Sequence, residues 1–84
     1  MTVYLVGEAF LNTALSYSSS DTRIVLLEDA VYSAVKGPAR EEMYVVNDDV
    51  TRRGLKSKIP PSVHVISYTD LVKMMELEKV INFL

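Results

Sequence analysis

The stretch Met43-Tyr44-Val45-Val46-Asn47-Asp48-Asp49-Val50-Thr51-Arg52-Arg53-Gly54-Leu55 decides the fold. Its β-branched and aromatic run reads as a buried strand that stops at Asn47, where the side chains turn polar. Asn47, Asp48 and Asp49 are residue types that accept hydrogen bonds from the unpaired N–H groups of a helix start, so the pattern predicts helix capping at this point. Gly54 suits the left-handed position just past such a helix. The segment is one βα unit. At the carboxyl end of its strand, where open α/β sheets place much of their chemistry, it has no cysteine, histidine, serine or phosphate-cradling glycine run.

The same alternation extends in both directions. Thr2 to Val6 form an apolar run closed by Gly7, and Phe10, Leu11, Ala14 and Leu15 follow at helical spacing in the segment Glu8 to Tyr17. Ser18-Ser19-Ser20-Asp21 is a polar break of αβ-loop length. Ile24 to Leu27 read as the next strand, Glu28-Asp29 open a second helix carrying Val31, Tyr32 and Val35, and Gly37-Pro38 stop it. After a solvated turn containing Pro60 and Pro61, Val63 to Ile66 read as a fourth strand, and Ser67-Tyr68-Thr69-Asp70 has the spacing of a capping box ahead of a last helix.

Strands that are apolar on both faces and alternate with helices imply a parallel sheet covered on both sides, with right-handed crossovers. The expectation is an α/β, flavodoxin-like three-layer sandwich: a small open sheet of four strands in the order 2-1-3-4, with the first and third strands adjacent at the switch point. Beyond Asp70, the residues Leu71, Val72, Met74, Met75, Leu77 and Ile81 read as one helix, apolar over a wider arc than a single core contact requires. On this reading the chain ends before a fifth strand can form.

At 84 residues the chain reads as a single domain, 1–84, because so short a chain has no material for a second core. Apolar residues make up 49% of it, more than a small sphere hides, which predicts an oligomer. A net charge of −2 does not supply the field that direct nucleic-acid binding needs. The absence of cysteine excludes a disulfide scaffold, a zinc-thiolate module and a thiol enzyme. No apolar run approaches the roughly 18–20 residues of a membrane span, and the N-terminal stretch reads as a strand rather than a leader. The expectation is a soluble, cytoplasmic protein with no cofactor motif.

Acidic residues follow each strand: Glu8, Glu28 with Asp29, Asp48 with Asp49, and Asp70. Carboxylates converging on one sheet edge are hard ligands for Mg²⁺, but each also sits where it interacts favourably with the positive end of a helix, and capping is the preferred reading. A receiver-type phosphorylation site would need an acidic pair after the first strand and a lysine after a fifth, and neither is read here. His64, the one histidine, lies within a strand and reads as structural. Arg52 and Arg53 could fork onto a phosphate or carboxylate, although a solvated helix end is the commoner role. Met74 and Met75 suit either core packing or a subunit contact.

Three segments in series, Leu26-Leu27-Glu28-Asp29-Ala30-Val31-Tyr32, Val46 to Leu55 and Val65-Ile66-Ser67-Tyr68-Thr69-Asp70-Leu71-Val72, resemble the DsrH/TusB family of DsrE/F/H-like sulfur-relay proteins. The first helix shows little of the family's pattern, and the tryptophan-containing end of many members is missing. The resemblance implies a non-catalytic subunit that assembles with DsrE/TusD-like and DsrF/TusC-like partners, whose chemistry rests on a cysteine of the DsrE/TusD type, in a relay toward 2-thiouridine at the tRNA wobble position or, in sulfur oxidisers, in dissimilatory sulfur metabolism. It further implies a candidate interface at Asp29, Val31 and Tyr32, to which Met74 and Met75 are added. The alternatives are a stand-alone homodimer binding a small anion or nucleotide at the switch point by Gly7 and Asn47, and a carboxylate-based Mg²⁺ enzyme.

Overall fold

The computed structural model describes residues 1–36 and 42–84. The expected stop at Gly37-Pro38 lies outside these residues. Among the described residues five strands form one parallel sheet: β1 (Thr2–Val6), β2 (Thr22–Leu26), β3 (Met43–Val46), β4 (His64–Ile66) and β5 (Lys79–Phe83). Their order across the sheet is β4-β3-β2-β1-β5, and every pairing is parallel. The helices are α1 (Leu11–Tyr17), α2 (Tyr32–Val35), α3 (Asn47–Arg52) and α4 (Tyr68–Leu77), with 3-10 turns at Glu8–Phe10, Glu28–Val31 and Lys56–Lys58.

Two expectations are corrected. The sheet has five strands rather than four, because the helix read through to Ile81 ends at Leu77 and Lys79–Phe83 turn into a strand. Alternation with period two, with Ile81 and Phe83 packed on one face and Val80 on the other, wins over a helical continuation. The order is not 2-1-3-4, since β1 lies between β2 and β5, and β3 is separated from it by β2.

The handedness of parallel crossovers explains the layering. From β1 through β4 the chain steps in one direction across the sheet, so right-handed connections place α1, α2 and α3 on a single face. There Ala14, Ala30, Val31, Ala34 and Val50 close over Tyr4, Val6, Ile24, Leu26, Met43 and Val45. The return from β4 to β5 reverses direction, and the same rule sends α4 to the opposite face. Leu71 and Met74 of α4 pack there against Val3, Leu5, Val25 and Val46. One helix thus covers a face that its opposite shares among three.

The ends of the helices follow local chemistry. Past α3, Gly54 has φ +67°, its N–H donates to the Thr51 carbonyl at 3.1 Å, and the Leu55 N–H reaches the Val50 carbonyl at 2.8 Å. This paired closure is a Schellman motif, and a side chain at Gly54 would be strained. At the start of α4 the Ser67 hydroxyl accepts the Asp70 N–H at 3.0 Å, and the Asp70 carboxylate accepts the Ser67 N–H at 3.4 Å. The two bonds satisfy orphan donors reciprocally.

Because Leu71 is the fully enclosed residue of α4, Leu71→Ala should cost about 2–4 kcal/mol in urea denaturation. The neighbouring exposed change Val72→Ala should stay within about 0.5 kcal/mol. Equal losses at the two positions would contradict the packing of α4 described above.

Candidate functional site

At the carboxyl edge of the sheet the turn after β2 and the helix after β3 are tied together. Glu28 has φ +51°, a left-handed conformation that a residue with a Cβ adopts at a cost of about 1–2 kcal/mol. Its N–H donates to Asp49 Oδ2 at 3.0 Å, across from the first turn of α3. Arg53, at the end of the same helix, donates from Nε to Asp29 Oδ1 at 3.0 Å and from Nη1 to the Asp49 carbonyl at 3.2 Å. The hydrogen bond to Asp29 raises the Arg53 pKa further above its already high ordinary value. A strained turn is thereby held by groups from the next βα unit.

This junction corrects the capping expected of Asn47 and Asp48. The helix starts one residue earlier than a capping role requires: Val46 is the residue flanking its start and makes no side-chain cap. Asn47 and Asp48 fall inside the first turn, where the Asp48 charge meets the positive helix end. Asp49 does cap a backbone N–H, but that of another turn. Arg53 is likewise engaged within the chain, while Arg52 remains largely exposed and 3.8 Å from Asp49. Among the described residues no group of three or more His, Cys, Asp or Glu side chains is placed to hold a metal ion.

Gly7 and Asn47 do not form a shared site. Gly7 stands between β1 and β5, its N–H donates to the Phe83 carbonyl at 3.1 Å, and a Cβ on it would lie 3.5 Å from Leu84. Asn47 follows β3, on the far side of β2.

The residues expected at an interface separate into outward and inward sets. Tyr32 and Asp29 are exposed beside the strained turn. Val31 is fully buried among the core residues of the three-helix face and offers no surface to a partner, and Met74 packs half-buried on the inward side of α4. Helical spacing is the reason, since Leu71 and Met74 lie one turn apart on the inward line of α4. The outward line consists of Tyr68, Val72 and Met75, which are 65%, 40% and 39% exposed. Spacings of four and three residues make them one continuous apolar stripe. It lies on the opposite face of the sheet from Tyr32.

Sequence reasoning missed a second grouping on the face that α4 covers. Tyr44 of β3 stacks on His64 of β4 with ring centroids 4.7 Å apart, and its phenol donates to Glu42 Oε2 at 2.6 Å. The Arg23 guanidinium lies 6.0 Å from the same ring and 3.0 Å from Glu78 Oε2. His64 is therefore an exposed stacking residue on an edge strand. The residues come from four separate segments, and only strand order brings them together. Burial, aided by the bond to Glu42, pushes the Tyr44 phenol up to about 12.

Two outcomes follow from this geometry. Asp49→Ala should lower stability by about 1–2 kcal/mol, the usual cost of losing a cap, whereas Asp48→Ala should stay within about 0.5 kcal/mol. Tyr44 keeps its proton in the folded chain after the unfolded chain has released it. Its contribution is whole below pH 10 and is lost as the pH rises toward about 12. An alkaline absorbance titration should show a tyrosine ionising near pH 12, a step that Tyr44→Phe should abolish.

Residues 7–80 match the family model described as DsrH like protein. The chain is 31% identical over 72 residues to Protein TusB of Erwinia tasmaniensis, covering 76% of each chain. It is 34% identical over 74 residues to Protein TusB of Yersinia pestis, again covering 76% of both. Protein TusB of Klebsiella pneumoniae is 39% identical over 59 residues, 61% of this chain and 62% of that one. With a parallel α/β sheet, a match across most of its length and these relatives, this chain belongs to the DsrH/TusB family.

Proposed function

We propose that this chain is a non-catalytic subunit of a sulfur-relay assembly, supporting persulfide transfer toward 2-thiolation of the tRNA wobble uridine. The observation that carries the reading is membership of the DsrH/TusB family by a sequence with no cysteine at any position. A persulfide forms on a thiolate sulfur, so a chain without one cannot carry the sulfur itself. The thiol belongs to a partner of the DsrE/TusD type, with a DsrF/TusC-like subunit alongside.

The surface supports this role. The stripe Tyr68, Val72 and Met75 offers an aromatic anchor and an adaptable thioether on a helix whose other line is already used by the core. Tyr32 with Asp29 offers a second, smaller contact on the opposite side of the sheet. Two faces suit a subunit held between two different relatives. Residue types of this kind dominate interface energetics when they are enclosed by a partner.

Affinity purification of the chain from native extract should bring down cysteine-bearing DsrE- and DsrF-like proteins. Replacing Val72 and Met75 together by Glu should abolish the capture while leaving the urea midpoint close to that of the unaltered chain. Recovery of no such relative, or undiminished capture by the double variant, would count against the reading.

A further inference from the structure

We propose that the outer face of the His64 ring stacks the base of a nucleotide whose phosphate is drawn to Lys56 and Lys58. The site is the free end of a ladder laid across the sheet. Tyr44 of β3 stands in the middle, with the His64 ring stacked on it from β4 at 4.7 Å and 25°, and the Arg23 guanidinium 6.0 Å away on the β2 side. Both inner members are anchored: the Tyr44 hydroxyl donates to Glu42 Oε2 at 2.6 Å and Arg23 Nη1 donates to Glu78 Oε2 at 3.0 Å. His64 is exposed, and among the described residues no strand lies beyond β4. A planar ring laid on His64 extends the ladder without displacing any of these contacts. Because the inner members are already held, little side-chain freedom is lost when it binds.

Charge decides which planar ring fits. The net charge of −2 conceals a local reversal, since residues 50–69 carry Arg52, Arg53, Lys56 and Lys58 and no acidic residue. Arg53 is engaged by Asp29, and Arg52 lies 3.8 Å from Asp49. Lys56 and Lys58 remain, both exposed in the 3-10 turn that precedes β4. The Val63 N–H donates to the Pro60 carbonyl at 3.0 Å, and this tight turn carries the chain from Lys58 into His64 at the amino end of β4.

An uncharged ring would use the stack and leave the two cations without a role. A nucleotide uses both, its base on the imidazole and its phosphate on the ammonium groups. The two carboxylates of the ladder belong to its inner members, where Tyr44 and Arg23 already occupy them. A free nucleotide and a nucleotide within a single RNA strand present the same chemistry to this surface. The inference stands on the ladder and the two lysines and does not depend on the sulfur-relay reading.

His64 is the one histidine, so its ring protons report on the site directly in proton NMR of the full chain. Adenosine 5′-monophosphate and hexaadenylate, titrated separately, should move these signals upfield through the ring current of the stacked base. A hexamer bound at least about tenfold more tightly than the monophosphate identifies an RNA strand as the source, and equal affinity identifies the free nucleotide. In anisotropy measurements with labelled hexaadenylate, His64→Ala should weaken binding about tenfold, the effect of losing one stacked base, while His64→Phe should keep it within about threefold. Replacing Lys56 and Lys58 together by Gln should weaken binding and flatten its salt dependence. Circular dichroism establishes that each variant is folded. Three results would overturn the proposal. These are His64 ring protons unmoved by either ligand; a folded His64→Ala chain that binds as tightly as the unaltered one; and an abasic hexamer of equal charge bound as tightly as hexaadenylate, which is attraction without stacking.

Discussion

The crossover from β4 to β5 is the constraint on which the rest of the structure depends. The two strands lie at opposite edges of the sheet, four strand spacings or about 19 Å apart. The connection also has to travel back down the strands, and α4, about 15 Å long for its ten residues, is shorter than the width it must serve. Toward the amino ends of the strands this face carries polar and aromatic residues, with Tyr44 stacked on His64 and 6.0 Å from the Arg23 guanidinium. What α4 turns outward is the apolar stripe of Tyr68, Val72 and Met75. Both the unusual cluster and the candidate contact surface are consequences of one helix covering a whole face.

Much of this was legible in the residues. The run from Met43 to Leu55 announces strand, helix and glycine stop, and Gly54 takes the left-handed conformation that closure of α3 requires. Ser67 and Asp70 announce the start of α4. Strand order was not legible, because strands buried on both faces are apolar throughout and carry no mark of their neighbours. The fifth strand was hidden for a related reason. Val80, Ile81 and Phe83 follow α4 with no glycine or proline between, so a helical spacing can be carried through them until tertiary pairing with β1 decides.

The carboxyl edge shows the same division. Its acidic residues were visible, and so was the relation of carboxylates to helix starts. That Asp49 serves the turn at Glu28 rather than its own helix depends on β2 and β3 being neighbours. The burial of Val31 and Met74, against the exposure of Tyr32 and Met75, turns on single steps of helical phase. Position along a motif cannot distinguish these residues; position around the helix can.

The functional account joins a fold that presents apolar surface on both sides of a sheet to a sequence without a thiol. On the proposed reading, the chain shapes and holds a relay whose sulfur resides on another subunit. The most direct test is to purify the native assembly through a tag on this chain, load it with radiolabelled sulfur from a persulfide donor, and separate the subunits without reductant. The account predicts label on a co-purifying cysteine-bearing relative and none on this chain. Label covalently held by this chain would contradict it.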